Sequence, residues 1–156
     1  MLDFLEFGSG VRYGDMVSKG DLARYAFGID EIDAQHRALF EFIYKLDAAI
    51  PTSDSWVVVQ QTLNDLNFWA RVHFAVEESL MRLMSFPGAA AHNATHATFM
   101  ETIARLKKQS LRKDIARDTS RFLNDWLRHH IDVEDRKYAE YFLSRCKART
   151  APSTSS

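Results

Sequence analysis

Along the first half of the chain, Ile29, Ile32, His36, Leu39, Ile43, Leu46 and Ile50 recur at alternating spacings of three and four. That is the period of one buried helical face, with a histidine in a place otherwise held by aliphatic residues. "PTSDS" breaks the pattern and offers Ser53, Asp54 or Ser55 as the N-cap of a second helix. Its stripe runs Val59, Leu63, Leu66, Ala70, His73, Glu77, Leu80, Met84, so two core positions carry an imidazole and a carboxylate. "SFPGAAA" stops this helix at Pro87 and Gly88, and a third begins near Ala91 with the stripe His92, His96, Phe99, Ile103, Leu106. After a polar turn from Gln109 to Asp114, a fourth helix runs to about Ser144, with Ile115, Phe122, Trp126, His130 and Tyr138 facing inward. Short connections make consecutive helices antiparallel neighbours. The pattern predicts an all-α, up-and-down antiparallel four-helix bundle over residues 29–144. Residues 1–28 form an N-terminal arm with Phe4, Phe7, Tyr13, Tyr25 and Phe27 available to pack on it, and residues 145–156 a flexible tail.

Composition narrows the class without naming the chemistry. A chain of 156 residues fits one domain able to bury its own core. The one cysteine, Cys146, cannot form an internal disulfide, so a reducing cytoplasm is the expected compartment. The opening stretch carries acids and glycines where a signal peptide would be basic and then apolar, and no segment approaches a membrane span. Twenty basic against 21 acidic residues, with no basic stripe interleaved with aromatics, argue against a nucleic-acid partner.

The histidines change the picture. In an antiparallel bundle, the starts of the first and third helices share an end with the ends of the second and fourth. His36, His73, Glu77, His92, His96, His130 and the acids after it therefore fall within about 20 Å of one end, counting about 1.5 Å per residue. A lone core histidine is ordinarily a satisfied hydrogen-bonding group. Five in one layer is a different matter, because each unpaired buried polar group costs on the order of a few kcal/mol and a buried carboxylate more. Sharing a cation removes that cost, and the pairs His73/Glu77 and His92/His96 each aim two ligands from one helix face. Seven ligands exceed what tetrahedral zinc accepts, and imidazole with carboxylate suits iron, zinc, copper or nickel over calcium or magnesium. Two octahedral ions would take five imidazoles, two bridging carboxylates and one solvent-derived oxo or hydroxo bridge, leaving one open position. An open position beside a second redox metal is what dioxygen binding requires.

Together, "GIDEIDAQHRALF", "HFAVEE", "FPGAAAHNATHATF" and "WLRHHIDVEDRKY" resemble the hemerythrins, in particular the single-domain bacterial ones, over most of residues 28–142. The resemblance implies a non-haem centre of two iron ions with an oxo or hydroxo bridge that binds dioxygen reversibly, for storage, delivery or sensing. It implies that His92, His96 and His130 hold one iron and His36 and His73 the open one, with Glu77 and Asp135 bridging. It further implies an apolar oxygen pocket at Phe74, Trp126, Leu127 and Ile131. His130 and Asp135 are five apart, about 140° around an ideal helix, whereas Glu134 lies on the face of His130. Spacing alone favours Glu134 and the resemblance favours Asp135; a loosened helix, or a metal between the two directions, would reconcile them. His129, turned by about 100° from His130, is expected in solvent or behind the ligands rather than among them. The sequence departs from the family at Phe86, where tyrosine is common, and at Tyr25, where tryptophan is usual.

An oxygen-binding protein, not an enzyme, is the expectation. Its partner is dioxygen, with an oxygen-requiring enzyme or a signalling protein as recipient, and it is expected as a monomer or weak oligomer. The alternative is a di-iron enzyme reducing peroxide, oxygen or nitric oxide, although the E-x-x-H pairs of ferritin-like oxidases are missing. A structural, zinc-loaded bundle is the third class, and the open position speaks against it, since structural sites are closed.

Overall fold

A computed structural model of the protein describes residues 24–52, 55–111 and 115–150, without the side chains of the final three. Its helices are α1 (Asp30–Ala49), α2 (Ser55–Leu83), α3 (Ala89–Ser110), α4 (Ala116–His129), a π-helical turn (His130–Asp135) and α5 (Arg136–Thr150). The last three are continuous and form the fourth rod of an up-and-down four-helix bundle. α2 packs against α1 and α3, and α4 against α1 and α2.

The sequence stripes become the core. Leu39, Ile43, Leu46, Val59, Leu63, Leu66, Ala70, Phe99, Ile103 and Leu106 are all buried in one cluster. On α2 the inward position passes from Leu80 and Met84, both half-buried, to Met81, which is fully buried. Strict alternation of three and four averages 3.5 residues per turn, so on a 3.6-residue helix it drifts by about 20° per heptad, and three heptads move the face by most of one residue. On α4 the inward face is Ala116, Thr119, Ser120, Leu123 and Leu127, leaving the expected Phe122 and Trp126 half-buried at its margin. α3 starts at Ala89 and α5 continues to Thr150, past the expected end at Ser144. Of the candidate caps, Ser55 is the first residue of α2, while Ser53 and Asp54 lie outside the described residues. None of the helices is long and apolar enough to cross a membrane, among the described residues.

Residues 1–23 and 151–156 also lie outside the described residues, and with them the packing expected of Phe4, Phe7 and Tyr13. The end of the arm is tied down firmly. Gly28 takes φ +78°, a conformation open to glycine, and turns the chain into α1. Asp33 accepts hydrogen bonds from the backbone N–H groups of Phe27 (2.7 Å) and Gly28 (2.9 Å), closing that turn. Tyr25 is buried against Phe40, and its hydroxyl accepts a hydrogen bond from Arg128 at 3.2 Å. Arg24 and Arg136 converge on Asp132, and Arg136 also donates to the Arg24 carbonyl, which straps the arm across the π-helical turn.

Candidate metal centre

His36 enters from α1, His73 and Glu77 from α2, His92 and His96 from α3, and His130 and Asp135 from the fourth rod. All seven are buried, and Glu77 and Asp135 are 0 % exposed. They form two overlapping groups whose candidate ligand atoms lie within 4.8 Å of one another: Glu77, His92, His96, His130 and Asp135, and His36, His73, Glu77 and Asp135. The two carboxylates belong to both groups.

The oxygens divide accordingly. Glu77 Oε1 lies 3.4 Å from His73 Nε2, while its Oε2 lies 3.4 Å from His92 Nε2 and 3.1 Å from His96 Nε2. Asp135 Oδ2 lies 3.2 Å from His36 Nε2, while its Oδ1 lies 3.4 Å from His92 Nε2 and 3.0 Å from His130 Nε2. Each carboxylate thus turns one oxygen toward a single histidine of the His36/His73 pair and the other toward two of the three histidines His92, His96 and His130.

The π-helical turn settles the ambiguity of spacing. With i to i+5 bonding, residues five apart return to one face, which brings Asp135 below His130. Glu134 turns outward and accepts from Lys137 Nζ at 3.0 Å. His129 is exposed, as expected.

A cation fits this cluster. His36 Nε2, His73 Nε2 and both oxygens of Asp135 are buried without a hydrogen-bond partner, although each lies within 3.4 Å of an atom of opposite character. They are near neighbours aimed at a shared point. Two ligands about 2.1 Å from one ion and at right angles to each other are about 3 Å apart, and the nitrogen–oxygen separations here are close to that. Five imidazoles and two carboxylates are also the donor set that suits a pair of transition-metal ions.

The carboxylates and imidazoles of the cluster shift one another's titration. Burial opposes ionisation of Glu77, but the imidazoles of His73, His92 and His96 outweigh it and hold the carboxyl well below the usual range. Burial and the Glu77 charge push Asp135 up, and His130 and His36 bring it below its ordinary value. Burial lowers His73 to about 4, against the pull of Glu77. His36 and His92 feel the same burial but end above the ordinary histidine value, through Asp135 and Glu77 respectively. Burial, followed by the Glu77 and Asp135 charges, raises Tyr138, which stays a neutral phenol. Its hydroxyl donates to Glu77 Oε1 at 2.7 Å.

Four of the five outer ring nitrogens are held as well, and His92 Nδ1 is buried without a hydrogen-bond partner. His36 Nδ1–H donates to the Tyr25 carbonyl (3.2 Å), His73 Nδ1–H to Gln35 Oε1 (3.0 Å), His96 Nδ1–H to Glu78 Oε1 (3.1 Å) and His130 Nδ1–H to Thr95 Oγ1 (3.4 Å). Such partners fix the ring orientation and leave Nε2 as the inward lone pair. Gln35, Glu78, Thr95 and the role of Tyr138 escape sequence reasoning, because a polar residue beside a ligand looks like any half-exposed helix position. Only the neighbours of Glu77 and His36 in the chain hint at them.

Apolar side chains close the inner side. Phe74 stacks on His96 with ring centroids 3.7 Å apart, and Trp126 stacks on His130 at 4.2 Å. Phe74, Trp126 and Leu127, with Leu39, Ile43, Leu66, Ala70, Phe99 and Leu123, line a cavity of about 10 Å³. A space of that size with apolar walls stays dry. Ile131, the fourth residue expected there, is fully buried but does not line this cavity.

Comparison with known proteins points to one family. The family model described as "Hemerythrin HHE cation binding domain" matches residues 28–142. A bacteriohemerythrin of Stenotrophomonas maltophilia is 36 % identical over 115 residues, covering 72 % of this chain and 74 % of its own. Another from Methylococcus capsulatus is 30 % identical over 118 residues, covering 74 % and 89 %. A solved wild-type hemerythrin structure superposes with a TM-score of 0.70 at 28 % identity, covering 77 % of this chain and 93 % of that one.

Proposed function

This chain belongs to the hemerythrin family, and from that membership we propose that it binds dioxygen reversibly at a non-haem di-iron centre, for storage, delivery or sensing. The observation that carries the reading is the division of the Glu77 and Asp135 oxygens between two histidines and three. In this reading His36 and His73 would hold one iron and His92, His96 and His130 the other, with Glu77 and Asp135 serving both. A pair of ferrous ions held there would supply the two-electron chemistry that reversible dioxygen binding needs.

The protein's own residues make that exchange reversible. The set of two histidines has one ligand fewer than the set of three, which leaves room for a small molecule on that side. Phe74, Trp126, Leu127 and Ile131 keep water and protons away, and those are what would turn reversible binding into loss of reduced oxygen species. Tyr138 holds Glu77 Oε1 through its hydroxyl, and Gln35 and the Tyr25 carbonyl keep the His73 and His36 rings in place. The reading calls for no catalytic residue. It fits a cytoplasmic monomer or weak oligomer that passes oxygen to an oxygen-requiring enzyme or reports it to a signalling partner.

The test is the visible spectrum of iron-loaded, anaerobically reduced protein, recorded before oxygen, after oxygen and after its removal, with iron per chain measured on the same sample. Two irons and a charge-transfer band that appears and then vanishes are expected. A band that decays to a stable oxidised state favours the alternative, an enzyme reducing peroxide, oxygen or nitric oxide. An iron-poor, colourless sample would overturn the di-iron reading.

A further inference from the structure

The two histidine sets differ in what stands behind them. In the set of two, both outer nitrogens donate to neutral oxygens, the Tyr25 backbone carbonyl and the Gln35 amide. A carboxylate is present on that side only one bond further out, where Gln35 Nε2 donates to Glu31 Oε1 at 2.6 Å. In the set of three, His96 Nδ1–H donates directly to a carboxylate, Glu78, at 3.1 Å. The His96 ring is also clamped face to face by Phe74, with 7° between the planes, so it has little freedom to turn away from that partner. Glu78 follows Glu77 in the chain, but its side chain leaves the interior and is 38 % exposed.

A carboxylate hydrogen-bonded to the outer nitrogen of an imidazole increases electron density at the inner nitrogen, and a carbonyl does so less. The same charge offsets that of a cation one ring away, attenuated by solvent at a partly exposed position. The set of three therefore has an extra ligand, a better-donating ligand and a nearby negative charge. The set of two has none of these at comparable distance.

We propose that Glu78 is a positioning residue that acts through His96 to make the three-histidine position the tighter of the two, the first to fill and the last to empty. This rests on the reading that two ions share Glu77 and Asp135. Glu78 supplies part of the difference, and exchanging charge for amide behind the ring is what changes it.

Stepwise removal of iron tests this. The full-length, iron-loaded, reduced protein is titrated anaerobically with a chelator, and iron retained per chain is measured. Wild type should lose its irons in two separate steps. Glu78→Gln, which keeps a hydrogen-bond acceptor and the size of the side chain, should make the last iron about 10-fold easier to remove, within the range of 10- to 100-fold common for partners of metal-bound histidines. The first step should stay in place. Glu78→Asp, which keeps the charge, should retain part of the wild-type separation. A Glu78→Gln variant whose steps are both unchanged, or both weakened alike, overturns the inference while leaving the di-iron reading intact. A wild type that never retains two irons overturns the di-iron reading and this inference with it.

Discussion

α2 and α3 present their candidate ligands four residues apart on regular α-helix, whereas the fourth rod presents His130 and Asp135 five apart on a π-helical turn. Both arrangements put two side chains on one face. The difference lies in where the information resides. A four-residue pair needs nothing beyond ordinary helical geometry. A five-residue pair needs the backbone to change its bonding locally, and that costs hydrogen-bond quality which surrounding contacts must offset. Those contacts are present. Asp132 within the turn is gripped by Arg24 and Arg136, and Ile131 is fully buried. Tyr138, just beyond the turn, reaches across to Glu77 on α2 and so links the irregular pair to a regular one.

The largest test of this comparison exchanges the two acids. Asp135→Asn should reduce retained iron from two per chain to one or none, and Glu134→Gln should leave two; metal analysis of both variants decides it. The opposite result would mean that ordinary α-helical spacing governs after all. Next, His73→Ala breaks the regular pair. It should eliminate the oxygen-dependent band and leave a largely helical protein, as read by visible absorption and circular dichroism. An unchanged band would sink the assignment of His73.

Leu127→Ala acts on the wall between the cavity and the irregular turn. It should accelerate autoxidation by admitting water, and cost about 2 to 5 kcal/mol in stability as a buried leucine truncation. An unaltered autoxidation rate would remove Leu127 from the pocket wall. Tyr138→Phe cuts the link between the two kinds of pair. In the metal-free protein it should cost about 1.5 to 3 kcal/mol, the value of a hydrogen bond to a charged acceptor, measured by denaturant unfolding. Asp132→Asn loosens the strap over the π-helical turn and should cost about 1 kcal/mol or less, since partly exposed ion pairs contribute little. A larger loss would show that the strap is what maintains the turn.

Much of this is legible in the sequence. Leu39, Ile43, Leu63, Leu66, Phe99 and Ile103 announce their burial by period, and His36, His73, Glu77, His92 and His96 announce themselves by standing in the same rows. The misplacements are as informative. Met81 replaces Leu80 because a 3.5-residue count slips on a 3.6-residue helix over a helix as long as α2. Leu123 and Leu127 replace Phe122 and Trp126 at the centre of α4 because large aromatics can lie along the margin of a face, Trp126 against His130 and Phe122 against Phe99.

By itself, the sequence determined how many helices form, roughly where they end, and which imidazoles and carboxylates share one end of the bundle. Those properties follow from local spacing, and local spacing is written in the chain. Only the tertiary structure decided that Asp135 and not Glu134 turns inward, how Glu77 and Asp135 divide their oxygens, and that Glu78 backs His96 while Gln35 backs His73. These outcomes draw on partners far apart in the chain, 15 residues between Glu77 and His92, 18 between Glu78 and His96 and 108 between Arg24 and Asp132. No periodicity encodes such pairings, because they are fixed by which side chains meet once the helices have packed.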